Sequence, residues 1–433
     1  MTALNMDNMD EYNKGHACSK VNNGFPRVLL LTRWSPSGRF SGAAVTRRLA
    51  NIIPPLQLRW AYLTPPIKEH GVVSCAHSGF QLRTSHWRIR ETFFDDVLSQ
   101  IVRARQTAAR IAKWASSFHP EVLWIASDLE AIPVGYHLSR LTGLPVHLTV
   151  YDTYEICRMS GVPSLPFYPV YLNQLRNLMK LVSSFDAVSA ELIEYMRGKY
   201  PRLRDVKSLV FPSSAVSATM IVSDSAKRSH AQDDKKRIAF CGSSRNSDDE
   251  WRRFLMLLER LPWSFEIIVF ADPDYFNKRP VPPGNVSIRY MKYVDTEEQL
   301  VGVIESSGVH ACYLGLWKDE KHRLFVRTSL SSKLLTYCSS GVPIIADVPQ
   351  DSVAWRLVEK YHAGILVGMD IDKDIIQLKH LFGDAVEWRR MADGSSSLAR
   401  TEFNLEKNVE RFRLLLADTV GMASSGGLAV NNG

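Results

Sequence analysis

The sequence predicts an α/β protein with two doubly wound, Rossmann-like domains facing a cleft. From residue 26 onward, short apolar runs alternate with amphipathic stretches, which is typical of strands and helices around a parallel sheet. The runs are continuously apolar, as expected of strands that helices cover on both faces. A stretch rich in Ser, Ala and charge at residues 215–236 separates two such series and is interpreted as a linker.

The first series, residues 26–214, is expected to form the N-terminal domain. Its candidate strands are five to seven residues long and are bounded by polar or turn residues, which favours strands. The predicted strands cover residues 28–32, 58–64, 122–127, 146–151, 186–190 and 207–211. The predicted helices cover residues 42–53, 91–118, 131–141, 168–183 and 191–199.

The second series, residues 237–401, is expected to form the C-terminal domain. Predicted strands cover residues 238–241, 265–271, 286–290, 310–316, 343–347 and 364–367. Predicted helices cover residues 248–261, 297–306, 330–339, 352–361 and 370–381, the first with acidic residues at the positive end of its dipole. A C-terminal helix is expected within 402–418, at 406–416, and residues 1–25 and 419–433 are predicted to be a disordered leader and tail.

The composition excludes several classes of protein. With 433 residues, 45% of them apolar and 23% charged, the chain can bury more than one core, which excludes disordered and fibrous proteins. No apolar run approaches the ~18 residues of a membrane span, and the first 25 residues lack the features of a secretory signal. Six cysteines without a Cys-x-x-Cys pair predict reduced thiols and a cytoplasmic protein. The net charge of +8 favours anionic partners.

Two turns after predicted strands could bind an anion. The turn after the first strand contains Arg39 and leads through Gly42 into a helix, whose N-terminal N–H groups attract negative charge. The turn after the first strand of the second domain contains Gly242, Ser243 and Arg245, where a small backbone and a guanidinium could hold a phosphate. Each turn could equally be a plain loop with solvated arginines.

The strongest motif is RTSLSSKLLTYCSSGVPIIA at residues 327–346. Ser331 or Ser332 is predicted to cap a helix that ends at Gly341. Lys333 then lies in the first turn, where a cation opposes the helix dipole unless an anion is bound. The motif therefore suggests a phosphate site.

From Ser331 to Ala346 the sequence resembles the nucleotide-sugar glycosyltransferases of GT-B fold, in particular the large retaining family with the donor motif Ser-Lys-Leu-Leu-x-Tyr-x-x-x-Gly-x-Pro. The resemblance implies the GT-B arrangement of the two domains and catalytic roles for Arg245 and Lys333. It implies donor-binding roles for Gly242, Ser243, Arg327, Thr328, Ser332 and Thr336. On the acceptor or sugar side it implies roles for Arg39, Gly42, Tyr151 and Asp152.

Three positions depart from that family. Thr336 and Thr328 stand where the family has glutamates that hold donor hydroxyl groups, and Tyr151 stands where it often has a histidine. A threonine can bond a hydroxyl, but that neutral bond is roughly half as strong as one to a carboxylate. These departures bear on the identity of the donor and on turnover itself.

The chemistry implied needs neither metal nor cofactor. The twelve histidines show no His-x-x-x-His spacing, and the acidic residues 248–250 are interpreted as a helix start. In the resembled family the departing diphosphate is thought to take the acceptor proton, so that the protein supplies positioning and positive charge. The nucleotide-sugar is then a substrate.

A basic and aromatic segment at residues 83–113 has two interpretations. Seven Lys or Arg with interleaved Trp and Phe favour docking on an anionic membrane. On this interpretation the protein binds peripherally to the inner face of the plasma membrane. A long amphipathic helix with a solvated basic face explains the same pattern. No nucleic-acid-binding motif is present in the sequence.

The sequence thus predicts a glycosyltransferase of hexosyltransferase type. The resemblance implies transfer with retention of configuration, to a glycan or lipid-linked acceptor in polysaccharide or glycolipid biosynthesis. A GT-B module that binds a ligand without turnover is the alternative, and the two threonines motivate it. A nucleotide-sugar epimerase is a third hypothesis, although its acidic and histidine cluster is not visible.

Overall fold

A computed structural model describes residues 24–33, 41–63, 79–81, 103–126, 131–153, 168–212, 234–242, 247–270, 282–291, 294 and 297–425. These residues form two parallel sheets surrounded by helices, which confirms the predicted α/β class with two doubly wound domains. None of the described helices is long and apolar enough to span a membrane.

The first sheet is parallel and has the strand order β3-β2-β1-β4-β5-β6-β7. Its strands are β1 (Val28–Thr32), β2 (Leu58–Tyr62), β3 (Gly79–Gln81), β4 (Val122–Ala126), β5 (Val146–Val150), β6 (Val182–Ala187) and β7 (Lys207–Val210). The accompanying helices are α1 (Ser41–Ile52), α2 (Arg103–Ala115), α3 (Ala131–Thr142), α4 (Tyr168–Met179) and α5 (Ala190–Lys199).

The second sheet is also parallel, with the order β10-β9-β8-β11-β12-β13. Its strands are β8 (Lys235–Cys241), β9 (Ser264–Phe270), β10 (Val286–Tyr290), β11 (Ala311–Gly315), β12 (Ile344–Asp347) and β13 (Gly364–Leu366). The helices that follow α5 are α6 (Asp248–Glu259), α7 (Glu297–Ser306), α8 (Arg323–Thr328), α9 (Ser332–Ser339), α10 (Val353–Lys360), α11 (Ile371–Gly383), α12 (Ala385–Glu402) and α13 (Leu405–Ser425).

Strand order reverses between β1 and β4 in the first sheet and between β8 and β11 in the second. At such a reversal the helices on the two sides lie on opposite faces, which opens a crevice at the carboxyl ends of the strands. The segment after β8 begins with Gly242, so the sequence-predicted donor turn starts at the second reversal.

The predicted boundary between α4 and β6 is wrong. The helix ends at Met179 and the strand begins at Val182, whereas the sequence predicted a helix to residue 183 and a strand from 186. The polar residues Ser184 and Asp186 interrupt the apolar run, yet both are fully buried. They are buried because another element of the chain supplies their hydrogen bonds.

Helix α12 was not predicted, because Gly394 and three serines interrupt its pattern. A side chain at Gly394 would collide with the backbone carbonyls of Tyr361 and His362. Ser395 donates its hydroxyl hydrogen bond to the Val342 carbonyl at 2.8 Å. The small residues therefore let this helix lie directly against the backbone of neighbouring segments. Helix α8 and strand β3 were also missed, and both are short.

Helix α13 is longer than predicted and returns to the first sheet. Its Phe412 ring lies 5.0 Å from Trp124 and 5.2 Å from His147, measured between centroids. Thr419, predicted to begin a disordered tail, is fully buried in the helix. The helix continues to Ser425, and Val420 still packs against the core of the first domain.

A buried polar network joins β5 and β6 to α13. Thr419 donates its hydroxyl hydrogen to the Leu415 carbonyl at 2.6 Å, so it must accept the one from Ser184, 2.6 Å away. Ser184 then accepts from His147 Nδ1 at 2.8 Å, which places a proton on that nitrogen. His147 Nε2 lies 2.7 Å from Asp186 Oδ1. A proton must also lie between these two atoms, because two lone pairs would repel at that distance.

The same carboxylate receives a second bond. The Thr149 hydroxyl donates to Asp186 Oδ1 at 2.6 Å and itself accepts the Trp124 indole N–H at 2.8 Å. The histidine and aspartate together therefore carry no net charge. A neutral, hydrogen-bonded pair avoids most of the cost of burying an isolated charge.

Glu266 on β9 forms a cross-strand charge cluster in the second sheet. Its carboxylate lies 3.3 Å from Lys235, 3.7 Å from Arg237 and 3.2 Å from Arg289. Burial raises the pKa of Glu266, but hydrogen bonds and charges from Lys235 and Arg289 outweigh burial and lower it overall. The carboxylate is therefore ionised at neutral pH and stabilises the pairing of three strands.

Candidate functional site

The end of β8 and the start of α9 meet at the second strand reversal. Gly242 has a φ of +66°, a conformation that favours glycine. A methyl group on Gly242 would lie 3.5 Å from Cε of Lys333, so the lysine side chain runs over the glycine. Lys333 Nζ lies 5.4 Å from the ring centroid of Phe240. The structure thus brings together Gly242 and Lys333, 91 positions apart in the sequence.

Tyr337 fixes this arrangement one helical turn further along α9. Its hydroxyl oxygen accepts the backbone N–H of Cys241 at 3.0 Å, which ties the helix to the end of β8. Burial raises the pKa of the Cys241 thiol to about 12, despite the opposing effects of Tyr337 and Lys333. The thiol is therefore not a nucleophile at neutral pH. Sequence reasoning missed the role of Tyr337, since a buried tyrosine in a helix is ordinarily core.

The first turn of α9 concentrates positive potential. Ser331 is the N-cap residue, but its side chain makes no capping hydrogen bond, and Ser332 and Lys333 follow half-buried. The N–H groups of a first helical turn have no partner within the helix and carry partial positive charge. Together with the Lys333 ammonium group, they form a surface that attracts an anion.

The two threonines at the family's glutamate positions are both buried. Thr336 is 4% exposed and lies on α9, one turn after Lys333. Thr328, also 4% exposed, donates its hydroxyl to the Leu324 carbonyl of its own helix at 2.7 Å. The hydroxyl proton of Thr328 is therefore already used within α8.

Arg327 is exposed at the end of α8. Its Nε lies 3.4 Å from the carboxylate of Asp351, which Arg323 also contacts at 3.4 Å. The aspartate thus offsets part of the charge of both arginines. Arg327 can still reach a ligand, because its side chain is 54% exposed.

In the first domain, the structure ties Tyr151 to α1. The Tyr151 hydroxyl lies 2.7 Å from the Thr46 hydroxyl, which links the end of β5 to the helix that begins near Gly42. Asp152 follows, half-buried. The three remaining predicted residues, Arg39, Ser243 and Arg245, lie outside the described residues.

A second polar cluster, missed by sequence reasoning, follows β11, β12 and β13. Lys318 pairs with Asp347 and donates to the Gly368 carbonyl at 3.1 Å. Tyr313 donates to the same carboxylate at 2.6 Å. Gly368 has a φ of +91°, and a side chain there would collide with Lys318 and Asp347. These residues lie on or just after three different strands and are far apart in the sequence, so a linear motif does not reveal the cluster.

Within the described ranges, no group of three His, Cys, Asp or Glu side chains could hold a metal ion. A cavity of about 530 Å³ lies beside β13 and is lined in part by Glu387 and Arg390. These two side chains are paired at 2.6 Å, so their charges are already engaged.

Fold and site together define a class. Two doubly wound parallel sheets, as in the similar structures reported below, form the GT-B fold, and Gly242 and Lys333 meet at the strand reversal of the second sheet. A scan of protein-family profiles and a search of curated sequences gave no match. Comparison with solved structures gave matches over most of the chain.

The chain is similar to sucrose-phosphate synthase from Thermosynechococcus elongatus, with a TM-score of 0.62 and 12% identity over 91% of this chain and 99% of that one. It is also similar to α,α-trehalose 6-phosphate synthase from Burkholderia multivorans, with a TM-score of 0.58 and 12% identity over 94% and 100%. A third is HepE from Anabaena, solved with UDP and glucose, with a TM-score of 0.56 and 10% identity over 90% and 99%. At these identities the likeness establishes the fold.

Proposed function

We propose that this protein is a glycosyltransferase that moves a sugar from a nucleotide-sugar donor to an acceptor hydroxyl. The observation that carries the proposal is Lys333, in the first turn of α9 and lying over Gly242 at the strand reversal of a GT-B fold. Support comes from similar structures solved with UDP and glucose or with UDP-2-fluoro glucose.

The proposed reaction breaks the bond between the anomeric carbon and the diphosphate oxygen. The acceptor oxygen forms the new bond to that carbon, and the diphosphate leaves with the bonding electrons and takes the acceptor proton. Negative charge grows on the leaving group, where Lys333 and the N-terminus of α9 stabilise it. We further propose a retaining, hexosyl-type transfer, with Arg245 as a second cation and Gly242, Ser243, Arg327, Ser332 and Thr336 around the donor.

Release of nucleoside diphosphate, screened over common UDP-, GDP- and ADP-sugars, tests the reaction directly. Lys333→Ala is expected to lower kcat/KM by about 10²-fold, by analogy with other single electrostatic donors. Lys373→Ala is the matched control, because Lys373 also lies in the first turn of a helix of the second domain but is exposed. Equal activity of Lys333→Ala and wild type would contradict the assignment.

A binding module without turnover is the second candidate, favoured by Thr328, whose hydroxyl proton is engaged within α8. Calorimetry with UDP, GDP and ADP separates the two functions. Binding of a nucleotide with no turnover of any donor or acceptor extract would favour the module. Interconversion of a donor without an acceptor would instead reveal an epimerase.

For the acceptor we propose a glycan or lipid-linked sugar of polysaccharide or glycolipid biosynthesis, reached by peripheral contact with an anionic membrane. On α2, Ala104, Ala108 and Ile111 are buried, whereas Arg105 and Arg110 are exposed. Such a helix packs on the sheet and still presents basic charge. Phosphatidylglycerol vesicles should bind the wild type in low salt and bind Arg105→Glu/Arg110→Glu less. Equal binding would reject this surface.

A further inference from the structure

The first turn of α5 contacts the second domain through Ser189. This serine caps α5, its Oγ accepting the N–H of Leu192 at 3.0 Å. The same hydroxyl donates to the carbonyl of Thr328, the last residue of α8. Ser189 is only 3% exposed, so water does not compete for either bond. One hydroxyl therefore joins a helix of each domain.

Arg356 on α10 makes the second half of the contact. Its guanidinium lies 2.8 Å from the carboxylate of Glu191 on α5 and donates to the Asp351 carbonyl at 2.9 Å. It also reaches the Arg327 carbonyl at 3.4 Å. The last carbonyls of a helix have no partner within that helix. The end of α8 thus receives hydrogen bonds from α5 on one side and α10 on the other.

Only a short segment joins this contact to the candidate site. Residues 329–331 alone join the end of α8 to the start of α9. Within them, Leu330 packs against the hydrophobic cores of both domains, and the Ser329 N–H bonds the Phe325 carbonyl at 2.7 Å. A displacement of α8 relative to the first domain would therefore move Lys333.

We propose that Ser189 and Arg356 are positioning residues that hold α8 and α9 in register with the first domain, so that Lys333 and its donor face the acceptor side at a fixed distance. This inference rests on the proposed function. Gly242, Arg327 and Lys333 all belong to the second domain, so the proposed donor contacts lie within one domain, and losing the Ser189 bond should change nucleotide affinity little. Transfer does depend on it, because a misplacement of about 1 Å can cost about 10²-fold in rate.

The test measures the changes in kcat and in KM separately. Ser189→Ala should lower kcat by up to about tenfold, since losing one hydrogen bond of at most ~1.4 kcal/mol corresponds to that factor. The KM for the donor and the Kd for UDP should stay within about twofold, because both report contacts inside the second domain. Ser189→Thr retains the hydroxyl and should retain kcat.

Two further sets of variants separate register from folding. Ser139→Ala is the control, because Ser139 is also a buried serine whose hydroxyl donates to a carbonyl, that of Tyr136 at 2.9 Å, but both residues lie on α3 of the first domain. It should leave kcat unchanged, and its Tm shows the effect of losing a buried serine hydrogen bond that does not join the two domains. Glu191→Arg and Arg356→Glu should each lower kcat. The double reversal should restore the part that depends on the ion pair, because a glutamate at position 356 cannot donate to the Asp351 and Arg327 carbonyls.

Each outcome decides one claim. Unchanged kcat in Ser189→Ala, or an equal loss in Ser139→Ala, would overturn the positioning role. A wild type that neither binds UDP nor consumes any donor would instead overturn the proposed function. Small-angle X-ray scattering then tests the contact by itself: a broader distance distribution for Ser189→Ala and Glu191→Arg supports it, and profiles that superimpose on the wild type overturn it.

Discussion

Asp186→Asn tests the proton that we place between His147 and Asp186 beneath α13. An amide presents one acceptor oxygen and one donor nitrogen where the carboxylate now meets both His147 and Thr149. With the nitrogen toward His147, the Thr149 hydroxyl loses its acceptor. With the oxygen toward His147, the imidazole must carry a buried charge that no carboxylate balances. The variant therefore loses one interaction in either orientation.

The magnitude follows from the less costly orientation. A buried donor left without an acceptor costs about 1–3 kcal/mol, so we expect Asp186→Asn to destabilise the region by about 2 kcal/mol. His147→Leu leaves the Asp186 carboxylate buried without its ionic partner and should lower the local stability by about 3–5 kcal/mol. Replacing both residues by Leu should recover part of that loss, because an apolar pair has no desolvation penalty.

Amide hydrogen exchange in α13 and β6 is the appropriate assay. The two sheets can unfold separately, so local opening free energies are better defined than one global value. Ser208→Ala on β7 is the control, since its hydroxyl accepts a bond from the partly exposed Arg197 and its loss should cost no more than ~0.5 kcal/mol. A loss below ~0.5 kcal/mol for Asp186→Asn, or one exceeding that of His147→Leu, would refute the proton placement.

Three other predictions concern the second domain. Gly368→Ala should lower the free energy of unfolding by more than the ~1–2 kcal/mol that a positive φ costs, because a methyl group there collides with Lys318 and Asp347. Gly143 has a φ of +66° with open space around it, so thermal unfolding of Gly143→Ala measures the backbone cost alone. Glu266→Gln should destabilise the protein at pH 7, as urea titrations at different pH values would show. Because the folded pKa of Glu266 is lowered, the stability difference between wild type and variant should be largest above the unfolded pKa of ~4.3 and should disappear below the folded pKa. Cys241 should resist iodoacetamide at pH 8 in the folded protein and react in urea, as peptide mass mapping would show; rapid alkylation without denaturant would contradict its raised pKa.

Local sequence pattern was sufficient for most of the architecture. The strands at Val28–Thr32 and Val286–Tyr290 and the helix at Glu297–Ser306 have the bounds that the pattern predicts. Continuous apolar runs between polar residues favour a covered parallel strand wherever they occur. The placement of Gly242 after β8 and of Lys333 in the first turn of α9 depends on the same local turn and helix-start chemistry.

Tertiary structure decided the elements whose polar or small residues are satisfied by distant partners. Gly394 and Ser395 disfavour a helix locally, yet they allow α12 to lie against backbone more than 30 residues away. Ser184 and Asp186 interrupt an apolar run, but α13 and β5 supply their bonds across the sheet. Ser189 contacts Thr328 across 139 residues. Local pattern cannot anticipate such pairings, because their free energy exists only once the chain has brought both partners together.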